Sequence, residues 1–175
     1  MGILLFSARV HDLMHRKSSI QYQLAKLSKK LRDMQQYATM VGNGSVSIGD
    51  LLRSPGSMMG RSMAYLSFAH NSSMQYMQQN APYMQQMYMQ QMGGQQNPQQ
   101  QQMMNNYIMR SLYTQGRERA AQIETQNLHQ EEGRIAQEKE RLETELQEVT
   151  QELKAAKEAR DADIRDFAPK YTASA

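Results

Sequence analysis

Cysteine and tryptophan are both missing from this 175-residue chain, and phenylalanine occurs three times. The first absence excludes disulfide frameworks, thiolate metal centres and cysteine nucleophiles. The shortage of large aromatics, together with a mean hydropathy of -0.77, removes the usual stock of a compact enzyme core. Charge is missing locally as well: residues 62–109 contain no Asp, Glu, Lys or Arg. That gap does not read as a membrane span, because it is crowded with Gln and Asn, each costly in hydrocarbon. At this length one ordinary domain is the upper bound, and an extended or oligomeric form is expected.

What is present is helical periodicity. Ile3, Phe6, Val10, Leu13, Lys17, Ile20, Leu24, Leu27, Leu31, Met34, Ala38 and Val41 follow alternating steps of three and four, and only Lys17 is polar. This is a heptad seam on one helix, which must bury its stripe against a partner. A weaker seam follows in residues 115–167. There Ala121, Leu128, Ile135, Leu142, Val149 and Ala156 hold one core position, and Thr125, Glu132, Lys139, Leu146, Leu153 and Arg160 hold the other. Charged residues at such positions lower stability but discriminate between registers.

The two seams differ in charge. Through Arg61 the chain carries nine Lys or Arg against three Asp, and from Arg110 onward it carries eleven against fourteen acids. Opposite flanking charge favours pairing of the two helices, and a chain that turns back between them pairs them antiparallel.

Between the seams the words Tyr76-Met77-Gln78-Gln79, Tyr83-Met84-Gln85-Gln86 and Tyr88-Met89-Gln90-Gln91 recur. Met74, Met77, Ala81, Met84 and Tyr88 keep the three-four spacing, which predicts a helix with Pro82 near a kink. An isolated, uncharged helix of this kind gains little from burial, so its stripe is expected to pack on neighbouring subunits. The domain reading is therefore a basic heptad helix over 1–41, a linker with a short helical turn over 42–57 and a Met/Gln/Tyr-rich helix over 58–92. A Gly/Gln-rich link over 93–102, an acidic heptad helix over 103–168 and a tail over 169–175 complete it.

Motifs for chemistry are sparse. His11 and His15 have the spacing of a helical metal pair, but the zinc-hydrolase word needs Glu where Asp12 stands and also a third ligand, so solvated histidines are the simpler account. Met84, Met87, Met89 and Met92 offer thioethers suited to a soft ion, yet methionine more commonly fills irregular gaps. Basic residues do not alternate with stacking aromatics, which argues against nucleic acid. The opening Met1-Gly2-Ile3-Leu4-Leu5-Phe6 is too short for a secretory core, and Phe6 occupies the place where a myristoylation motif needs Ser or Thr. No cleaved signal is read, leaving a cytoplasmic chain or one exported by a signal-less route.

The expected fold class is all-α: a long antiparallel helical hairpin or coiled coil with an intervening Met/Gln-rich helix, assembled into an oligomer. The layout of pairing helical ends around a compositionally different middle, without Cys, resembles filament proteins of the flagellin and type III secreted kind in organisation alone. The expected function is a non-enzymatic structural subunit that self-assembles into a homo-oligomer or filament, without cofactor, metal, nucleic acid or membrane span. The rival is an adaptor or export-chaperone-like protein that grips apolar client segments through the Met-rich helix. The expected interface residues are Leu13, Ile20, Leu24, Leu27, Leu31, Met74, Met77, Met84, Tyr88, Leu142, Leu146, Val149 and Leu153.

Overall fold

A computed structural model describes residues 2–42, 49, 52–92 and 97–167. These form three long α-helices and no strand: α1, Gly2–Gly42; α2, Met59–Met92; and α3, Pro98–Phe167. Residues 43–48 and 50–51 of the expected linker, residues 93–96 of the expected Gly/Gln-rich link, and the tail over 169–175 lie outside the described residues.

Local sequence accounts for each helix. Residues 3–41 hold no Gly or Pro, so nothing interrupts α1. At the start of α2, the Met58 amide donates to the Pro55 carbonyl at 2.8 Å, closing a turn. The Ser57 hydroxyl donates to Asp33 Oδ2 at 2.6 Å, which ties that turn to α1. Pro82 lies inside α2 on its exposed side, and the helix continues through it.

The third helix starts earlier than the sequence suggests. Asn97 caps it: the Gln99 amide donates to Asn97 Oδ1 at 3.3 Å and the Gln100 amide to the Asn97 carbonyl at 2.9 Å. Pro98 takes the first helical position, where its missing N–H costs nothing. The Gln99–Gln102 run, expected in a link, is therefore helical, as the good helix propensity of Gln allows.

The helices divide into two compact units. One unites residues 2–30 of α1 with residues 133–167 of α3. Val10, Leu13 and Ile20 are buried with Leu142, Val149 and Leu153, and Leu24, Leu27, Leu146 and Ala156 pack against them. Arg9 meets Glu152 at 2.8 Å and Arg16 meets Glu145 at 2.8 Å, so numbering falls on one helix as it rises on the other and the pair is antiparallel. Full burial of one such aliphatic side chain is worth about 1.5–3 kcal/mol, against about 0–1 for an exposed ion pair. The seam therefore holds the unit together, while the arginines set its register.

The other unit, Leu31–Glu132, combines the end of α1 with α2 and the first part of α3. Met34, Tyr37 and Val41 of α1 are buried, as are Ser62, Tyr65, Ala69 and Ser73 of α2 and Leu112, Gly116, Ala120 and Leu128 of α3. The helices α2 and α3 approach closely here. A Cβ built on Gly116 would lie 2.7 Å from the Ser73 Cα, a backbone atom that no side-chain rotation can move aside. Small residues at intervals of four, Ala69-Ser73 on α2 and Gly116-Ala120 on α3, are what ridge-into-groove packing along four-residue rows requires.

This unit gives the Met-rich stripe neighbours within the chain. Tyr76, Met77, Met84, Tyr88 and Met104 pack against a cluster of Ala81, Ile108 and Leu112. The Met-rich stripe thus finds cover within the same chain, from Met104, Ile108 and Leu112 of α3, which lie ahead of the apolar seam read over residues 115–167.

Two glycine substitutions separate packing from propensity. Gly116→Ala should destabilise by about 1–2 kcal/mol, since the overpacking penalty exceeds the gain in helix propensity. Gly133→Ala meets nothing within 4 Å, and should stabilise by up to about 1 kcal/mol. Urea unfolding of both variants checks the pair; a stabilised Gly116→Ala would mean the helices do not cross this closely.

Candidate interaction surface

The expected interface residues fall in two places. Leu13, Ile20, Leu142, Val149 and Leu153 are buried together in the first unit, with Leu24, Leu27 and Leu146 half-buried against them. Met77, Met84 and Tyr88 line the Met-rich cluster of the second unit, where Met74 and Leu31 are also half-buried. The sequence reading passed over the tightest contact of that unit. Its signal was available as small residues spaced by four, but the three-four template selects Met74 rather than Ser73 and starts the second seam after Ile108 and Leu112.

It also missed a polar layer. Arg61 on α2 donates from Nε to Glu124 Oε1 at 2.6 Å and from its NH1 nitrogen to Glu131 Oε1 at 2.8 Å, both on α3. The Arg61 and Glu124 side chains are largely covered, and Glu131 is more open. Burial lowers the guanidinium pKa, but the two carboxylates outweigh it and hold the group above its ordinary value. Such a pair fixes register at the cost of desolvation. Tyr37 of α1 lies within the influence of Glu124, yet its fully buried hydroxyl makes no hydrogen bond of good geometry among the described residues. Burial first, and the Glu124 charge second, push its pKa well above the ordinary 10.0. Burial likewise raises Tyr65.

Further along the same unit Arg119 stacks over the Tyr76 ring at 4.4 Å, and the Tyr76 hydroxyl donates to Gln115. These contacts set a charge of α3 against the uncharged stretch of α2. Outward from the Met-rich cluster, large apolar side chains remain in solvent: Tyr83 is 65% exposed, Met89 62%, Met103 70% and Tyr107 68%, with Met87 beside them. Tyr83, Gln86, Met87 and Gln90 frame a shallow depression of about 240 Å³ on α2. Exposed apolar side chains on an uncharged stretch are candidates for a contact surface. Among the described residues no three His, Cys, Asp or Glu cluster to hold a metal, and no helix is long and apolar enough to cross a membrane.

The polar layer makes opposed predictions. Tyr37→Phe should leave stability unchanged or raise it by up to about 1 kcal/mol, because it removes a buried hydroxyl that lacks a partner. Arg61→Met should cost about 1–3 kcal/mol by stranding the Glu124 carboxylate. The pH dependence follows from the raised phenol pKa. The Tyr37 contribution is complete below pH 10.0 and is lost above it, as the unfolded chain ionises while the buried phenol does not. Alkaline unfolding should therefore shift to higher pH in Tyr37→Phe, and an equal or earlier transition would contradict the assignment.

Comparison with known proteins finds no match to this chain among protein-family models, curated proteins or solved structures.

Proposed function

We propose that this chain is a non-enzymatic structural subunit that self-assembles, with the uncharged Met/Tyr/Gln surface of α2 and early α3 as its contact face. The observation that carries this reading is the exposure of Tyr83, Met89, Met103 and Tyr107 on a stretch of chain without one charged residue. Exposed apolar groups without charged neighbours have little to oppose association and gain from burial. In this reading the paired helices of the first unit form an antiparallel coiled coil. Its support is the unbroken three-four spacing and the Arg9–Glu152 and Arg16–Glu145 pairs at flanking positions. Because both seams are already covered within the chain, association falls to the outward face rather than to Leu13, Leu27 or Leu142.

A second reading is favoured by the methionines. Met87, Met89 and Met103 are unbranched and polarizable, and such side chains adapt to several partners. On that account the same face grips apolar segments of client proteins, and the chain is an adaptor.

Sedimentation velocity across protein concentration separates the two: a subunit gives growing open polymers, and an adaptor gives a small fixed species. Tyr83→Glu and Met87→Glu place charge on the face at exposed positions, so circular dichroism should be unchanged while the polymers disappear. Mild peroxide should act in the same direction, since a sulfoxide oxygen is polar and the exposed thioethers react first. Polymers that survive both treatments would sink the assignment of this face.

A further inference from the structure

On the outer face of α1, away from the apolar seam, His11 and His15 turn toward one another. Their rings are 4.4 Å apart in a T-shaped arrangement, and their Nε2 atoms approach to 3.3 Å. The geometry points to a two-histidine site for zinc(II) on this helix face, independent of the self-assembly reading.

The distance carries the argument. Zinc binds imidazole nitrogen at about 2.0–2.1 Å in tetrahedral geometry. At that bond length two nitrogens 3.3 Å apart subtend about 104–111° at the metal, which spans the tetrahedral angle. Cis ligands of a square-planar ion would lie closer, at about 2.8–3.0 Å. The helix supplies the spacing, since residues four apart lie one above the other on one face. Both imidazoles are exposed, so a hydrated ion reaches them without opening the fold. The remaining two positions are open to water or to a ligand from a second copy.

The surroundings do not oppose the ion strongly. Of the cations close in sequence, Arg9, Arg16 and Lys17, the two arginines are each engaged by a carboxylate of α3, Glu152 and Glu145 respectively. Asp12, between the two histidines in sequence, lies 3.5 Å from Arg9. The competing state is a hydrogen bond between the two ring nitrogens, which needs one donor and one acceptor tautomer. Zinc needs both Nε2 atoms without protons, so binding displaces that hydrogen bond and any bound proton.

Calorimetric titration of the full chain with zinc chloride tests the site. Saturable binding is expected at one zinc per chain, or one per two chains if a second copy completes the coordination. His11→Ala and His15→Ala should each weaken it at least tenfold. His129→Ala should not, although His129 has its own neighbour, Glu132, at 3.2 Å. All three histidines are exposed, so circular dichroism should confirm that each variant folds. Zinc should also raise the melting temperature of the wild-type chain and leave that of His11→Ala unchanged. The site is overturned by no saturable binding up to on the order of 1 mM zinc, the millimolar limit of useful affinity. It is equally overturned by wild-type affinity in both His11→Ala and His15→Ala.

Discussion

No Cβ fits at position 116. With the Ser73 Cα 2.7 Å from where it would lie, α2 and α3 pack backbone against backbone, and much of the Leu31–Glu132 unit follows from that approach. Along the α2–α3 crossing itself the buried residues are small, Ser62, Ala69, Ser73, Gly116 and Ala120, while Tyr37 and Tyr65 are buried elsewhere in the unit. Larger side chains are displaced to its margins, where Tyr76, Met77, Met84 and Tyr88 are half-buried. Methionine suits such a margin because its rotatable stem fills whatever gap remains.

Polar groups do in this unit what apolar groups cannot, which is to distinguish one register from the next. A row of small residues spaced by four tolerates a slip of one turn, because the same kind of surface recurs. Arg61 does not tolerate it. A slip of one turn would leave the guanidinium and the Glu124 carboxylate covered and apart, and an unpaired buried charge costs more than the pair gains. In the other unit the same work is done at the surface by Arg9 and Arg16, where each pair contributes little to stability but repeats at a spacing of seven.

Legibility in the sequence followed the strength of the repeat. The seam from Ile3 to Val41 and its partner from Ala121 to Ala156 were readable because heptads of Leu, Ile and Val have one spacing and one outcome: none of these positions is exposed. The pairing was readable from opposite charge and its antiparallel sense from a chain that turns back between the helices, and the Arg–Glu pairs carry both. Less was legible where the period changed. Between Ala69 and Ala81 the buried side of α2 advances by fours, through Ser73 and Met77, and a three-four template drifts off that row by one residue. The start of α3 was hidden for another reason. Asn97-Pro98 reads equally as a turn or as a cap with a first-position proline, and the following Gln run was taken for a link by composition although Gln favours helix. Tyr37 and Arg61 belong to no apolar pattern, so only their neighbours in space reveal them.

Where the Met-rich stripe finds its partner changes the argument about association. A stripe left bare on an isolated helix would demand another subunit for the helix to be stable, and folding and assembly would then be one event. Here Ile108, Leu112 and Met104 cover that stripe from within the chain, so part of its burial does not depend on another copy. What remains outside is a second layer, Tyr83, Met87, Met103 and Tyr107, exposed on the same two helices. In the proposed assembly, contacts through these side chains would add to the intrachain packing, and each side chain, when covered, would gain its own burial of about 1.5–3 kcal/mol. Uncharged Gln between them adds neither attraction at long range nor repulsion, so partner choice on this face rests on shape and apolar area. In the proposed assembly such a face would favour contact between like copies, because covering apolar area is all that the contact requires.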